Sequence, residues 1–436
     1  MLASTPVRIM AEGRREHIVI VGAGAAGLMA ARELARAGRQ VMVLEARDRC
    51  GGRIHPLPER DFGYRADAGA EFIHGEAPVT RQLLAEAGLT ALPIDGARWH
   101  IDNGAISHDD RADRQMGRLH EVLASLHEDM TVTTLLDRHF AGAGFAALRE
   151  SVLGMVQGYD AADPDRASVF ALRDEWMGGE RGGQARIVGG YGALVDFLAA
   201  DCRARGVTFR FQAVVGAIES ADEGVIVRCT DGSAYRADSA ILTVPLPLLQ
   251  SIALPAALRG EVASADIGFG NVIKLLLRFR TRWWTAINGH DLADLLFALS
   301  DAAVPVWWTQ HPADHPVLTG WLGGPATAAF ASHDDTALIE TGLAALAGMF
   351  GKPIEVLRSE LVAAHATNWG NDPFARGAYS YATLGTRRAQ EQLTRRHSGP
   401  ILISGEALYR GRDMGTVEAA LASGLQTARI IVHPDR

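Results

Sequence analysis

The stretch Gly22-Ala23-Gly24-Ala25-Ala26-Gly27 constrains this chain more than any other. A buried apolar run, His17 to Val21, precedes it. A helical run follows through Ala37 and is stopped by Gly38. A second apolar run, Val41 to Leu44, ends in Glu45. This is a strand–helix–strand unit opening a parallel sheet. Gly22 permits the tight turn, Gly24 lets the backbone approach a pyrophosphate, and Gly27 lets the helix pack close to the strand. Ala26 and Gly27 lie where free N–H groups and the positive end of the helix dipole face the phosphates. Glu45 falls at the ~20-residue offset at which a carboxylate accepts from ribose hydroxyls. The unit alone admits either NAD or FAD.

The rest of the chain divides by pattern. Residues 80 to 180 read as mostly helical and carry few chemical signals. Val207–Phe211, Val225–Thr230 and Ser239–Val244 read as strands, with a hairpin turn at Asp231-Gly232 and Tyr235-Arg236 on its return. Val272–Phe279 alternates like a strand, and Trp283, Trp284, Trp307, Trp308 and Trp321 cluster around it. Ile401–Ser404 and a helix from Val417 close the chain. The simplest architecture is a discontinuous dinucleotide-binding domain, residues 1–80, 181–260 and 370–436, interleaved with a substrate domain, 81–180 and 261–369. A net charge of −8 argues against a nucleic-acid partner. Cys50, Cys202 and Cys229 form no CxxC pair and fit a reducing, cytoplasmic location. No apolar stretch reaches transmembrane length, the first seventeen residues do not read as a signal peptide, and no membrane tail is expected. No metal site is expected.

The residues after Glu45 narrow the choice. Glu45-Ala46-Arg47-Asp48-Arg49-Cys50-Gly51-Gly52-Arg53-Ile54 resembles the EAR-x-R-x-GGR stretch of the flavin-containing amine oxidases and related flavoproteins. Four further segments carry the same resemblance in order. They are Asp67-Ala68-Gly69-Ala70-Glu71-Phe72-Ile73-His74-Gly75; Gly270-Asn271-Val272-Ile273-Lys274 through Phe279 and Trp283; Trp369, Pro373 and Gly377-Ala378-Tyr379-Ser380; and Ser404-Gly405-Glu406 with Gly415-Thr416-Val417-Glu418 and Ser423-Gly424. The resemblance spans about 17 to 431. It implies an α/β fold: a Rossmann-like FAD-binding domain of the two-dinucleotide-binding type, interleaved with an α+β substrate domain. It also implies oxidation of an aliphatic amine or polyamine by hydride transfer to flavin N5, reoxidation by O2 to H2O2, and hydrolysis of the imine.

The resemblance assigns roles by position. Gly22, Gly24, Ala26, Gly27, Glu45, Ala46, Arg47, Gly52, Arg53, Gly69, Ala70, Glu71, Phe72, Val215, Trp369, Gly405, Glu406, Thr416 and Val417 are expected to line the FAD. Glu71 is also a candidate pocket group. Lys274, Tyr379, His74 and Thr416 are expected at the reacting amine. Taken alone, Lys274 reads as an edge-strand lysine with its head in water. The resemblance instead gives it a water near N5. Taken alone, Tyr379 is a core strand tyrosine and His74 a packed histidine. The resemblance makes one an aromatic face for the amine and the other a wall of the cavity. The departures matter. Ala378 stands where monoamine oxidases carry the covalent flavin cysteine, so the FAD is expected to be non-covalent. Thr416 stands where they carry a second cage tyrosine, as in the lysine-specific histone demethylases, which weakens any preference for small arylamines. The closing motif reads Gly405-Glu406-Ala407-Leu408 rather than Gly-Glu-His/Thr-Thr. An L-amino-acid oxidase, which would need an arginine for the substrate carboxylate, and a flavin-binding protein without amine turnover are the alternatives.

Overall fold

A computed structural model of the chain describes residues 16–107, 110–177, 183–395 and 399–433. The first fifteen residues and the last three, on which the readings of leader and tail depend, lie outside the described residues. The opening unit forms as expected: β1 (His17–Val21), α1 (Ala25–Arg36) and β2 (Gln40–Leu44). β1 is central in a five-stranded parallel sheet, in the order Ile401–Ile403, Ser239–Leu242, β1, β2, Thr208–Arg210. Its unbroken apolar run follows from burial on both faces. Ile18 and Ile20 pack with Leu28, Leu34, Leu198 and Leu421 on the helical side. Val19 and Val21 pack with Ile218, Val225 and Val227 of a three-stranded antiparallel sheet. Each such side chain stabilises by about 1.5–3 kcal/mol. The last helix, Val417–Val432, lies hard against α1: a β-carbon on Gly424 would sit 2.2 Å from the Ala26 carbonyl oxygen.

The second sheet has seven strands. Leu361–Asn368, Val272–Phe279, Val317–Gly323, Val306–Trp308 and Leu295–Leu299 are followed by Ala97–Asp102 and Ala105–Ser107. Those two short strands and Ala91–Pro93 interrupt residues 80 to 180, which are otherwise mostly helical as expected. Ala97–Asp102 pairs in parallel with Leu295–Leu299 and forms a hairpin with Ala105–Ser107 across Asn103-Gly104, both at positive φ, a two-residue turn that the local sequence does signal. The remaining helices of this region, from Asp110–Ser125 to Val169–Trp176, do pack as a cluster around Leu136, Phe140, Leu148 and Val156. Thr131 and Ser168 cap two of them by accepting from Thr134 N and Ala171 N.

Val272–Phe279 is hydrogen-bonded on both sides, so the edge-strand reading of Lys274 is excluded. The side chains alternate. Ile273, Leu275 and Leu277 meet the helix Asp335–Phe350 through Leu338, Leu343 and Leu346. Leu276 packs on the opposite side against Leu57, Phe62, Ala66 and Ala68, and Lys274 shares that face. Among the described residues, no helix is long and apolar enough to cross a membrane, and no group of His, Cys, Asp or Glu is arranged to hold a metal.

Candidate active site

The two glycine loops expected to cradle a dinucleotide are joined. Gly51 N donates to Ala23 O at 2.9 Å, and Gly24 and Gly51 form an isolated parallel bridge. Gly52 adopts φ +59°, a conformation that favours glycine, and a β-carbon on it would lie 3.6 Å from Gly24 Cα. A β-carbon on Gly27 would meet Gly22 O at 2.0 Å, so α1 packs too close to the loop for any side chain there. α1 begins at Gly24 with no side-chain cap and no acid in its first turn. Its terminal N–H groups, Ala26 included, are thus left for an anion, which a pyrophosphate fits. Glu45 is buried. Its Oε2 accepts from Ala23 N at 2.7 Å and its Oε1 from Arg47 N at 2.9 Å. Burial raises its pKa, and the two backbone donors only partly offset this. Ala46 lies in this turn, and Arg47 is tied to Asp372 at 2.6 Å. Ala213 N donates to Glu45 O at 2.9 Å, which brings Val215 close to the same end.

The other end of the cradle gathers residues from four distant segments. Arg53 donates to Ala378 O at 2.6 Å and to Glu406 Oε1 at 2.8 Å, while Ser380 Oγ donates to Glu406 Oε2. A β-carbon on Gly69 would sit 1.8 Å from Arg53 O and 3.2 Å from the Trp369 ring. Trp369 packs with Val272 and Ala378. The β-carbon position of Gly405 opens on empty space. These features suit a flat, partly polar ring system held by backbone. Thr416 is the N-cap of the last helix. Its hydroxyl accepts from Ala419 N at 3.2 Å and donates to Asp413 O at 2.6 Å, so the cap occupies it. Val417 opens that helix.

Lys274 is fully buried. Its Nζ donates to Asp67 O at 2.7 Å, Gly69 O at 3.0 Å and Glu71 Oε2 at 2.9 Å. An ammonium has three N–H groups, and all are taken, so a water would have to displace one partner. Glu71 also accepts from Arg186 Nε at 2.9 Å, Trp308 Nε1 at 3.1 Å and Gln310 Nε2 at 3.1 Å. Burial alone would raise the Glu71 pKa, but Lys274 and Arg186 outweigh it and bring it to about 2. The Glu71 side chain is therefore filled by protein donors rather than presented to a ligand. Ala70 packs against the helical core, and the Phe72 ring lies under the Arg186 guanidinium at 4.7 Å.

His74 and Tyr379 are brought together by a residue that carried no motif. Tyr379 Oη donates to Tyr159 O at 2.5 Å, and the Tyr159 hydroxyl meets His74 Nδ1 at 2.9 Å. Gln184 Nε2 also reaches His74 Nδ1, at 3.2 Å. Burial lowers the His74 pKa to about 4, so the ring is neutral at physiological pH, and the ordinary value of 6.5 does not apply. Trp321 stacks on Tyr379 with centroids 6.5 Å apart and planes 22° apart, and donates to Gly158 O at 2.6 Å. Trp321 is thus a half-buried ring against this wall, whereas Trp284, Trp307 and Trp308 are buried. Beside this wall, Asp160 and Glu175 interact. Burial and then the Glu175 charge raise the pKa of Asp160, while burial and then the Asp413 charge raise that of Glu175. A lone tyrosine and acid at the end of a helix gave no sequence signal. Only the turn after Ala146–Gly158 brings them to the site.

Residues 25–432 match the family described as flavin containing amine oxidoreductase. The chain is 27% identical over 445 residues to lysine-specific histone demethylase 2 of Homo sapiens, covering 95% of this chain and 53% of that protein. It thus spans about half the length of that relative. It is 26% identical over 455 residues to polyamine oxidase 4 of Oryza sativa subsp. japonica, covering 94% and 87%. Its fold superposes on cyclohexylamine oxidase from Brevibacterium oxydans IH-35A with a TM-score of 0.79 at 20% identity, covering 97% and 99%. A redesigned putrescine oxidase triple mutant gives 0.78 at 22% identity, with the same coverage. The chain belongs to the flavin containing amine oxidoreductases.

Proposed function

We propose that this chain oxidises an aliphatic amine or polyamine, using non-covalent FAD and O2, with release of H2O2 and hydrolysis of the imine. Bound FAD supplies the hydride acceptor and the electron transfer to oxygen. The protein's part is placement and electrostatics. Ala378 offers no nucleophile for a flavin bond. Tyr379, with Trp321 stacked behind it, gives the amine an electron-rich face. The desolvation felt by Tyr379 and His74 would equally favour the neutral amine beside them, whose lone pair must be free. His74 is neutral and adds no charge that would repel a second ammonium.

The observation that carries this reading is the distribution of charge around the Tyr379 wall. Asp160 and Glu175 stand beside it with raised pKa values, a state that an arriving ammonium relieves. The nearby arginines are engaged: Arg53 by Ala378 O and Glu406, Arg186 by Glu71, Thr309 O and His311 O. Arg53 and Arg186 are thus committed to protein acceptors and not offered to a substrate carboxylate, which disfavours an amino-acid oxidase. The test is anaerobic bleaching of the bound flavin by a panel of amines and amino acids. Long aliphatic amines and diamines should bleach it fastest. Faster bleaching by amino acids, or by benzylamine or phenylethylamine, would overturn the substrate assignment.

A further inference from the structure

The geometry points to Glu71 as a positioning residue for Lys274: it fixes the lysine ammonium and sets the net charge that the flavin ring would feel. This rests on the reading that Lys274 lies beside that ring. Glu71 ends the Gly69-Ala70 segment and enters the strand Phe72–His74. That strand pairs Phe72 with Arg186, and Lys274 arrives from the seven-stranded sheet. The carboxylate therefore sits where the smaller sheet and the larger one meet. It bridges two cations, Lys274 at 2.9 Å and Arg186 at 2.9 Å, and both its oxygens are shared with Trp308. Arg186 is locked further by Thr309 O at 2.9 Å and His311 O at 3.2 Å.

Two consequences follow. The lysine has no N–H free for a water, so it acts as a fixed charge and not as a water clamp. The Lys274–Glu71–Arg186 unit carries a net charge of about +1, because two cations share one carboxylate while the neighbouring Asp67, raised by burial to about 7, keeps its proton in more acidic solution, where the count is read. In a water-poor site that charge favours the reduced, more negative flavin. Glu71 thereby damps a charge that two bare cations would double.

The test reads the flavin midpoint potential, by anaerobic reduction against reference dyes, which requires no amine. Glu71→Gln keeps the shape and takes the unit to +2; Lys274→Met takes it to 0; the double variant returns it to +1, all by this same rough charge count. The potential should be highest in Glu71→Gln, lowest in Lys274→Met, and near wild type in the double variant. Each single step should change the reduced-to-oxidised ratio by about tenfold, ~30 mV for a two-electron couple. Equal potentials in all four proteins, with only thermal stability reduced, would show a structural ion pair and overturn the proposal. If Glu71→Gln does not fold, Arg186→Gln must lower the potential, and no shift there would overturn it equally. Amine turnover with unmoved potentials defeats this inference alone. The expected order of potentials without amine turnover defeats the substrate reading alone.

Discussion

Replacing Glu45 by alanine takes the acceptor from two backbone N–H groups at once. Ala23 N, at 2.7 Å, is buried, and Arg47 N, at 2.9 Å, is partly so. Leaving each unpaired costs about 1–3 kcal/mol. The carboxylate's own burial, visible in its raised pKa, returns part of this, so the net loss is about 2–4 kcal/mol. At roughly 2.1 cal/mol/K per residue, 436 residues give an unfolding entropy near 0.9 kcal/mol/K, so Tm should fall by about 2–4 °C even without FAD. Loss of the ribose contact should weaken FAD by a further ~1.5–3 kcal/mol, about 10- to 150-fold in Kd. Scanning fluorimetry of apoprotein and fluorescence titration with FAD measure the two separately. Flavin reduction at saturating FAD should stay within about twofold of wild type. An unchanged apoprotein Tm would mean that Glu45 does not pin the glycine loop. A reduction step slowed at saturation would place it in the chemistry.

Acid or heat denaturation should release intact FAD into the supernatant, and flavin retained on precipitated protein would contradict the non-covalent assignment. Gly69→Ala should abolish FAD binding, since its methyl group would lie 1.8 Å from Arg53 O; a variant that still titrates with wild-type Kd refutes that packing. The rate–pH profile should show no His74 limb near 6.5, because the folded ring protonates only near about 4, and His74→Ala should leave the profile above pH 5 in place. The same shift bears on stability. Between 6.5 and about 4 the unfolded chain binds a proton that folded His74 refuses, so acidification destabilises. His55, lowered to about 4 by burial and then Arg49, adds to this. Asp67, raised by burial to about 7, opposes it, because the folded state keeps its proton there. Tm of His74→Ala should accordingly fall less steeply than that of wild type over this window; parallel curves would refute the shift.

The parts legible in the sequence were those written locally. The run His17–Leu44 forms its strand, helix and strand because glycine spacing and apolar runs act within a few residues. The ordered motifs also found the right neighbours: Arg53, Gly69, Trp369, Ala378 and Glu406 converge although up to 353 residues separate them. What stayed hidden depends on pairing at a distance. Ala97–Asp102 joins the larger sheet through Leu295–Leu299, although its hairpin with Ala105–Ser107 across Asn103-Gly104 is written locally. Tyr159 and Asp160 matter only through where a helix ends. The saturation of Glu71 follows from Arg186, Trp308 and Gln310, three residues with no shared motif. Thr416 opens the last helix, and its hydroxyl is used as the cap.

The close seating of the last helix on α1 has a consequence for how the polypeptide is made. α1 buries Leu28, Met29, Ala30, Ala31 and Leu34, and part of its cover, Leu421 and Ala428, is translated nearly four hundred residues later. The parallel sheet likewise lacks its outer strand until Ile401–Ile403 has emerged. A ribosome-bound chain thus holds an oily helix and an unpaired strand edge while everything in between is synthesised. At ordinary elongation rates of about 5–20 residues per second, that interval lasts roughly twenty to eighty seconds. Expression yield should therefore respond to holdase chaperones and to growth temperature more than to added cofactor, which can be captured only once the C-terminal segment has closed over the first.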